Sequence, residues 1–150
     1  MIDIREALKD DADFIIRSQK NLARETENLV LDDETLRKGV NAVFLNPSLG
    51  KYTIALLDGE NAGCLLTLTE WSDWRNSSVL WIHSVFVEEQ FRNKGIYKAL
   101  YNYLKAKVEA SPEFAGLRLY VDHTNLKAKT VYERLGMNAE HYALYEWMKS

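Results

Sequence analysis

Val85-Phe86-Val87-Glu88-Glu89-Gln90-Phe91-Arg92-Asn93-Lys94-Gly95-Ile96-Tyr97-Lys98-Ala99-Leu100, carried on to Leu104, begins as an apolar strand and ends as a helix. Between the two lies a short polar turn, Arg92-Asn93-Lys94-Gly95. The first N–H groups of a helix have no partner within it, and the aligned peptide dipoles add partial positive charge there. A strand that feeds a basic, glycine-containing turn and then a helix therefore predicts an anion site, with phosphate its natural occupant. The stretch is not a P-loop, because G-x-x-x-x-G-K-S/T is absent, and it is not the G-x-G-x-x-G dinucleotide fingerprint.

Working outward, Ile2 to Arg5 alternates as a short strand, and Asp10 or Asp11 is placed to cap a helix bearing Phe14, Ile15, Leu22 and Ala23. Arg24 to Asn28 reads as a polar break. Asp32 or Asp33 then caps a second helix with Leu36, Val40, Val43 and Phe44 on one side, which stops near Asn46-Pro47. Tyr52–Leu57 and Ala62–Thr69 read as a hairpin around Asp58-Gly59. Glu70 to Asn76 is an aromatic and charged loop, and Val79 to Val87 is the long strand that delivers the opening stretch. After its helix come a strand at Leu117–Val121, a helix from Asn125 with a left-handed cap at Gly136, and a last strand at Tyr142–Trp147. The order predicts one mixed α/β domain over residues 1–150, with helices on both faces of the sheet.

At 150 residues the chain suits one domain, burying roughly 70% of its unfolded surface. It is 47% hydrophobic and 27% charged, ordinary for a globular protein, and its net charge of −3 argues against a nucleic-acid partner. Cys64 stands alone in the apolar run Gly63 to Leu66, so a disulfide is excluded and a buried, inert thiol is expected. No signal peptide is legible, and no apolar run approaches the ~20 residues of a membrane helix. A cytoplasmic location with no membrane partner is the default expectation.

A second motif lies downstream. Asn125-Leu126-Lys127-Ala128-Lys129-Thr130-Val131-Tyr132-Glu133-Arg134-Leu135-Gly136-Met137 places Ala128 and Tyr132 four apart, on one helical face behind Asn125. Asn125 can cap the helix or bond a ligand amide. This segment resembles the signature N-x-x-A-x-x-x-Y-x-x-x-G-F/M of the GCN5-related N-acetyltransferase (GNAT) superfamily. The opening stretch resembles the acetyl-CoA motif of the same superfamily, R/Q-x-x-G-x-G/A, in Arg92 and Gly95, and departs from it at Tyr97. There a phenol stands where the family has a small residue, and it either points aside or reshapes the pocket. The order of elements is also similar to the GNAT order, so the resemblance spans nearly the whole chain. It implies a sheet of six to seven strands with four helices on both faces.

The resemblance implies acetyl-CoA as cofactor and acetyl transfer to an amine. Val85, Phe86 and Val87 would pair with the pantetheine arm. Arg92, Asn93, Lys94, Gly95, Ile96, Tyr97 and Lys98 would hold the pyrophosphate, with Asn125, Ala128 and Tyr132 completing the cofactor site. Tyr132 is the candidate acid, because an ordinary phenol stays protonated at neutral pH as a donor must. His83, two residues before Val85 and so expected on its face, is the candidate base, since imidazole titrates near neutrality. It aligns with the acidic proton acceptor of polyamine acetyltransferases, which the helix-rich start also resembles distantly. Packing roles for His83 and Tyr132 are the alternatives. Glu25, Glu27, Glu70 and Asp73 are candidates to recognise a cationic acceptor, with Trp71, Trp74 and His83 lining its pocket. His123 and His141 lie in no metal-like spacing with His83, so no metal site is expected.

These residues lead to an N-acetyltransferase acting on a primary amine of a small molecule by direct attack. A protein N-acetyltransferase and a non-catalytic module that keeps CoA or acyl-CoA as a ligand are the alternatives. A homodimer is the family-level expectation.

Overall fold

In a computed structural model describing residues 1–150, the chain divides into two compact units, Met1–Leu119 and Tyr120–Ser150. The first holds five strands and three long helices. They follow in the order β1 (Ile2–Glu6), α1 (Ala12–Glu27), α2 (Asp33–Leu45), β2 (Lys51–Leu57), β3 (Glu60–Ser72), β4 (Ser77–Val87), α3 (Ile96–Ala110) and β5 (Phe114–Leu119). The strands lie in sequence order; the first three neighbour pairs are antiparallel and β4–β5 is parallel.

Local chemistry explains the joints. Asp32 caps α2 by accepting from the Thr35 N–H at 2.9 Å, and Asn46 turns extended before Pro47. Asp58 and Gly59, at φ 51° and 86°, supply the two left-handed residues that a two-residue hairpin needs. Asp11 does not cap α1 with its side chain. Its carboxylate instead takes Arg5 Nη1 and Nη2 at 2.7 and 3.1 Å and the Leu8 N–H at 2.7 Å, pinning the end of β1 to the start of α1.

The alternation of β3 divides the core. Cys64 packs with Phe14, Ile15, Ile16, Val40, Tyr52 and Ile54, under α1 and α2. Its neighbour Leu65 lies with Ile82, Val85, Tyr97, Leu100 and Tyr101, under α3. Adjacent strand residues point to opposite faces, so α1 and α2 cover one face and α3 the other.

Several expected boundaries move. Arg24 to Glu27 is no break: α1 continues through it and ends at Asn28, at φ 52°. The Glu70–Asn76 loop shrinks to a turn, because β3 runs on to Ser72 and Trp71 pairs with Ser78. The sheet has five strands, not six or seven. The expected strand at Tyr142–Trp147 does not form, and Tyr142, Leu144, Tyr145 and Trp147 are exposed. Alternation prepares a strand, but only a laddered neighbour makes one.

The second unit contains α4 (Leu126–Arg134), with Asn125 accepting from the Ala128 N–H at 3.0 Å. Gly136, at φ 92°, follows its end, and the Met137 N–H returns to the Tyr132 carbonyl at 3.0 Å. No helix is long and apolar enough to cross a membrane.

Candidate active site

The site begins with an irregularity in β4. Leu66 and Thr67 are consecutive on β3, yet they pair with Ser84 and Ile82, leaving His83 as an extra residue. Such a bulge breaks twofold alternation and re-aims side chains. Ile82 and Val85, three apart, consequently share the α3 face. Ser84 turns to the other face, where its Oγ accepts from Gln19 Nε2 of α1 at 3.3 Å. The expectation that His83 shares Val85's face is thereby corrected: the bulge falls between them. His83 is exposed where the pairing breaks.

The same point ends the parallel ladder. β4 and β5 pair from Ser78–Phe114 to Ile82–Leu119, where β5 stops. The Leu117–Val121 strand thus ends two residues earlier than expected. β4 continues five residues further, to Val87, paired on its β3 side only. Val85, Phe86 and Val87 therefore present backbone along one edge without a β5 neighbour, the geometry required to receive an extended amide-bearing chain.

Beyond Val87 the chain turns into α3. Asn93 and Gly95 are left-handed, at φ 63° and 84°, on either side of Lys94. Alternating handedness over successive residues gathers N–H groups into a concavity that suits an anion. No side chain caps α3. The Ala99 N–H is the first to return to the Gly95 carbonyl, at 3.0 Å, so those of Ile96, Tyr97 and Lys98 precede the helical ladder. Lys94 and Lys98 are exposed beside them. Tyr97 lines a small gap with Ile82, Val85 and Leu100 on the α3 face of the sheet, and its hydroxyl oxygen is buried there. Arg92 behaves differently from its neighbours. Its N–H bonds the Glu89 carbonyl at 3.2 Å, and Nε donates to the Val87 carbonyl at 3.0 Å. Nη2 donates to Glu25 Oε2 at 2.8 Å, and the guanidinium lies 5.5 Å from the Phe86 ring centroid.

The expected acceptor residues do not assemble. Glu25 is committed to Arg92, and Glu27 is exposed at the end of α1. Glu70 accepts from Arg118 Nη1 at 2.7 Å, and Asp73 accepts from the Trp74 N–H inside the β3–β4 turn. Trp71 lies six residues along β3 from Leu65, the partner of Val85, roughly 20 Å away along the strand. Trp74 is 90% exposed near the tip of that turn. Trp71 instead borders an open groove of about 470 Å³ with Thr69, Ser78, Pro112 and Phe114. The tryptophans miss the site because β3 and β4 run on as a hairpin and carry them to its far end.

Three ionisable groups have strongly altered titration: Cys64, its core neighbour Tyr52, and Tyr132. Cys64 is fully buried, and burial pushes its thiol up to about 12, so it is no nucleophile at neutral pH. In the second unit, burial likewise pushes the Tyr132 phenol up to about 12, which keeps its proton in place.

A model of the Acetyltransferase (GNAT) family matches residues 12–137. The crystal structure of a possible acetyltransferase from Clostridium difficile 630 is similar at 41% identity, with a TM-score of 0.93, covering 100% of this chain and 99% of that one. At 17% identity, two further structures share the fold. One is an aminoglycoside N-acetyltransferase in complex with CoA, with a TM-score of 0.79 over 100% and 96% of the two chains. The other is a ribosomal-protein-alanine N-acetyltransferase from Brucella melitensis biovar Abortus 2308, with a TM-score of 0.80 over 99% and 100%. Comparison with curated protein sequences finds no match.

Proposed function

Because the chain belongs to the acetyl-CoA-dependent GNAT acetyltransferase family, we propose that it acetylates a primary amine of a small molecule by direct attack, as one domain spanning both compact units. One observation carries the cofactor part. The β4 edge that loses β5 after Ile82 leads, through a single 3-10 turn at Glu89–Phe91, into the left-handed turn before α3. An extended amide chain ending in a pyrophosphate fits that sequence of donors and acceptors. Val85 to Val87 would bind the amides; the N–H groups of Asn93 to Lys98, with Lys94 and Lys98, would bind the phosphates.

When bound, acetyl-CoA supplies an activated thioester. His83, exposed at the bulge, removes the proton from the acceptor ammonium. A backbone N–H of the β4 edge would polarise the thioester carbonyl. As the C–N bond forms and the C–S bond breaks, Tyr132 would give its proton to the departing sulfur, and the second proton, shed by the acceptor nitrogen as it becomes an amide, would return to the Tyr132 oxygen. The inert Cys64 supports direct attack over a covalent relay. Structures that share the fold include an aminoglycoside N-acetyltransferase and a ribosomal-protein-alanine N-acetyltransferase, so both acceptor classes enter the test.

Thiol release from acetyl-CoA across a panel of polyamines, aminoglycosides, amino acids and peptide N-termini tests the reading. Turnover on a small amine is the expected result. Turnover confined to peptides would move the acceptor to proteins. Tight CoA binding without turnover on any amine would overturn the catalytic assignment.

A further inference from the structure

We infer that Glu25 is a positioning residue for the cofactor turn, acting through Arg92, and that Arg92 organises this turn instead of binding phosphate itself. The inference rests on the cofactor reading above. Every directed contact of Arg92 looks back into the protein. Nε holds the carbonyl of Val87, the last residue of β4. Nη2 holds Glu25, sixty-seven residues away on the last turn of α1. The guanidinium plane rests near Phe86, and the backbone N–H belongs to Glu89. A planar cation with forked donors can bridge a carbonyl and a carboxylate at once, which an ammonium on a flexible stem cannot do with the same geometry.

The bridge sits immediately before the two left-handed residues. Asn93 holds the left-handed conformation, which asparagine tolerates better than other non-glycine residues, so the turn depends on the direction in which the chain enters it. Anchoring Arg92 on the Val87 carbonyl fixes the direction in which the chain leaves β4. Glu25 fixes Arg92 in turn and ties the turn to α1, which also touches β4 through Gln19 and Ser84. Anion binding is left to the N–H groups of the turn and to Lys94 and Lys98.

This role makes a prediction opposite in sign to simple electrostatics. A carboxylate beside a pyrophosphate site opposes the ligand, so a bystander Glu25 would tighten CoA binding when removed. A positioning Glu25 would weaken it. Isothermal titration with CoA is the test, on protein shown by its melting temperature to be folded. Glu25→Ala is expected to weaken CoA about fivefold to tenfold. Glu25→Asp, which keeps the charge but withdraws it by one methylene, is expected to weaken it as well. Arg92→Gln should weaken it further, while the Glu25→Ala/Arg92→Gln pair should match Arg92→Gln alone. The salt dependence of binding should stay at its wild-type slope in Glu25→Asp, which keeps the charge and removes no phosphate ligand. Unchanged or tighter binding in Glu25→Ala would overturn the inference. So would an Arg92→Gln defect that flattens the salt dependence while both Glu25 variants bind normally.

Should the wild type fail to bind CoA, the cofactor reading fails by itself, and amide exchange decides the positioning role. The N–H groups of Phe91, Arg92 and Ala99, bonded to Glu88, Glu89 and Gly95, should exchange faster in Glu25→Ala. Unaltered exchange would then overturn it.

Discussion

His83 and Tyr132 carry the proton transfers in the proposed reaction, and each makes a prediction of its own. His83→Ala should abolish the acidic limb of the pH profile of kcat/KM, because the base would no longer need to shed a proton. An unchanged profile would reassign His83 to structure. Tyr132→Phe should lower kcat by about 100-fold, within the range for a positioned acid, while CoA affinity changes by less than about threefold. Since burial holds the Tyr132 phenol near 12, its deprotonation should not reduce kcat between pH 8 and pH 10. An alkaline limb there that vanishes in Tyr132→Phe would show the phenol to be far more acidic. The residue types at both positions were legible in the chain, but the face of His83 was not. Twofold alternation put it beside Val85, and one extra residue in the Leu66/Thr67 register cancelled that rule.

At the scale of elements, strongly local chemistry was read correctly. Asp58-Gly59 makes its hairpin, Asp32 its cap and Gly136 its left-handed exit, because each depends on a few consecutive residues. Asp11 shows the opposite case. One of the two cap candidates beside Asp10, it is instead a buried tie between β1 and α1, through a partner six residues away. Its carboxyl lies below the usual range, chiefly because of the hydrogen bond from Arg5. A depressed carboxylate stabilises the fold above its unfolded value near 3.8, and that contribution is lost as pH falls through the folded value. Asp11→Asn should therefore cost about 2 kcal/mol at pH 7, discounted for the partly exposed Arg5, and the difference from wild type should shrink below about pH 4. Urea unfolding at pH 7 and pH 3 measures both; an equal difference at the two values would remove Asp11–Arg5 as its source.

For the whole molecule, the alkaline side is governed by buried acids. Cys64 and Tyr52 pack in the α1–α2 core, and burial pushes both up to about 12, from ordinary values of 9.0 and 10.0. Their neutral forms stabilise the fold fully below those ordinary values. The contribution drains away as pH rises through the window towards 12, where the unfolded chain has already lost its protons. The melting temperature should decline from about pH 9, and Cys64→Ala should delay that onset to about pH 10. A decline with the same onset in Cys64→Ala would assign it to other groups. By itself, the sequence determined the periodic elements, the turns, the two motifs and the family they belong to, since these are written in spacings of a few residues. Tertiary structure decided what spacing cannot encode. The β4 bulge, the early end of β5 and the missing last strand depend on which strands find ladder partners. The commitment of Glu25 to Arg92 depends on where α1 crosses the sheet. Long-range neighbours, not local propensity, select among conformations that the chain alone leaves close in free energy.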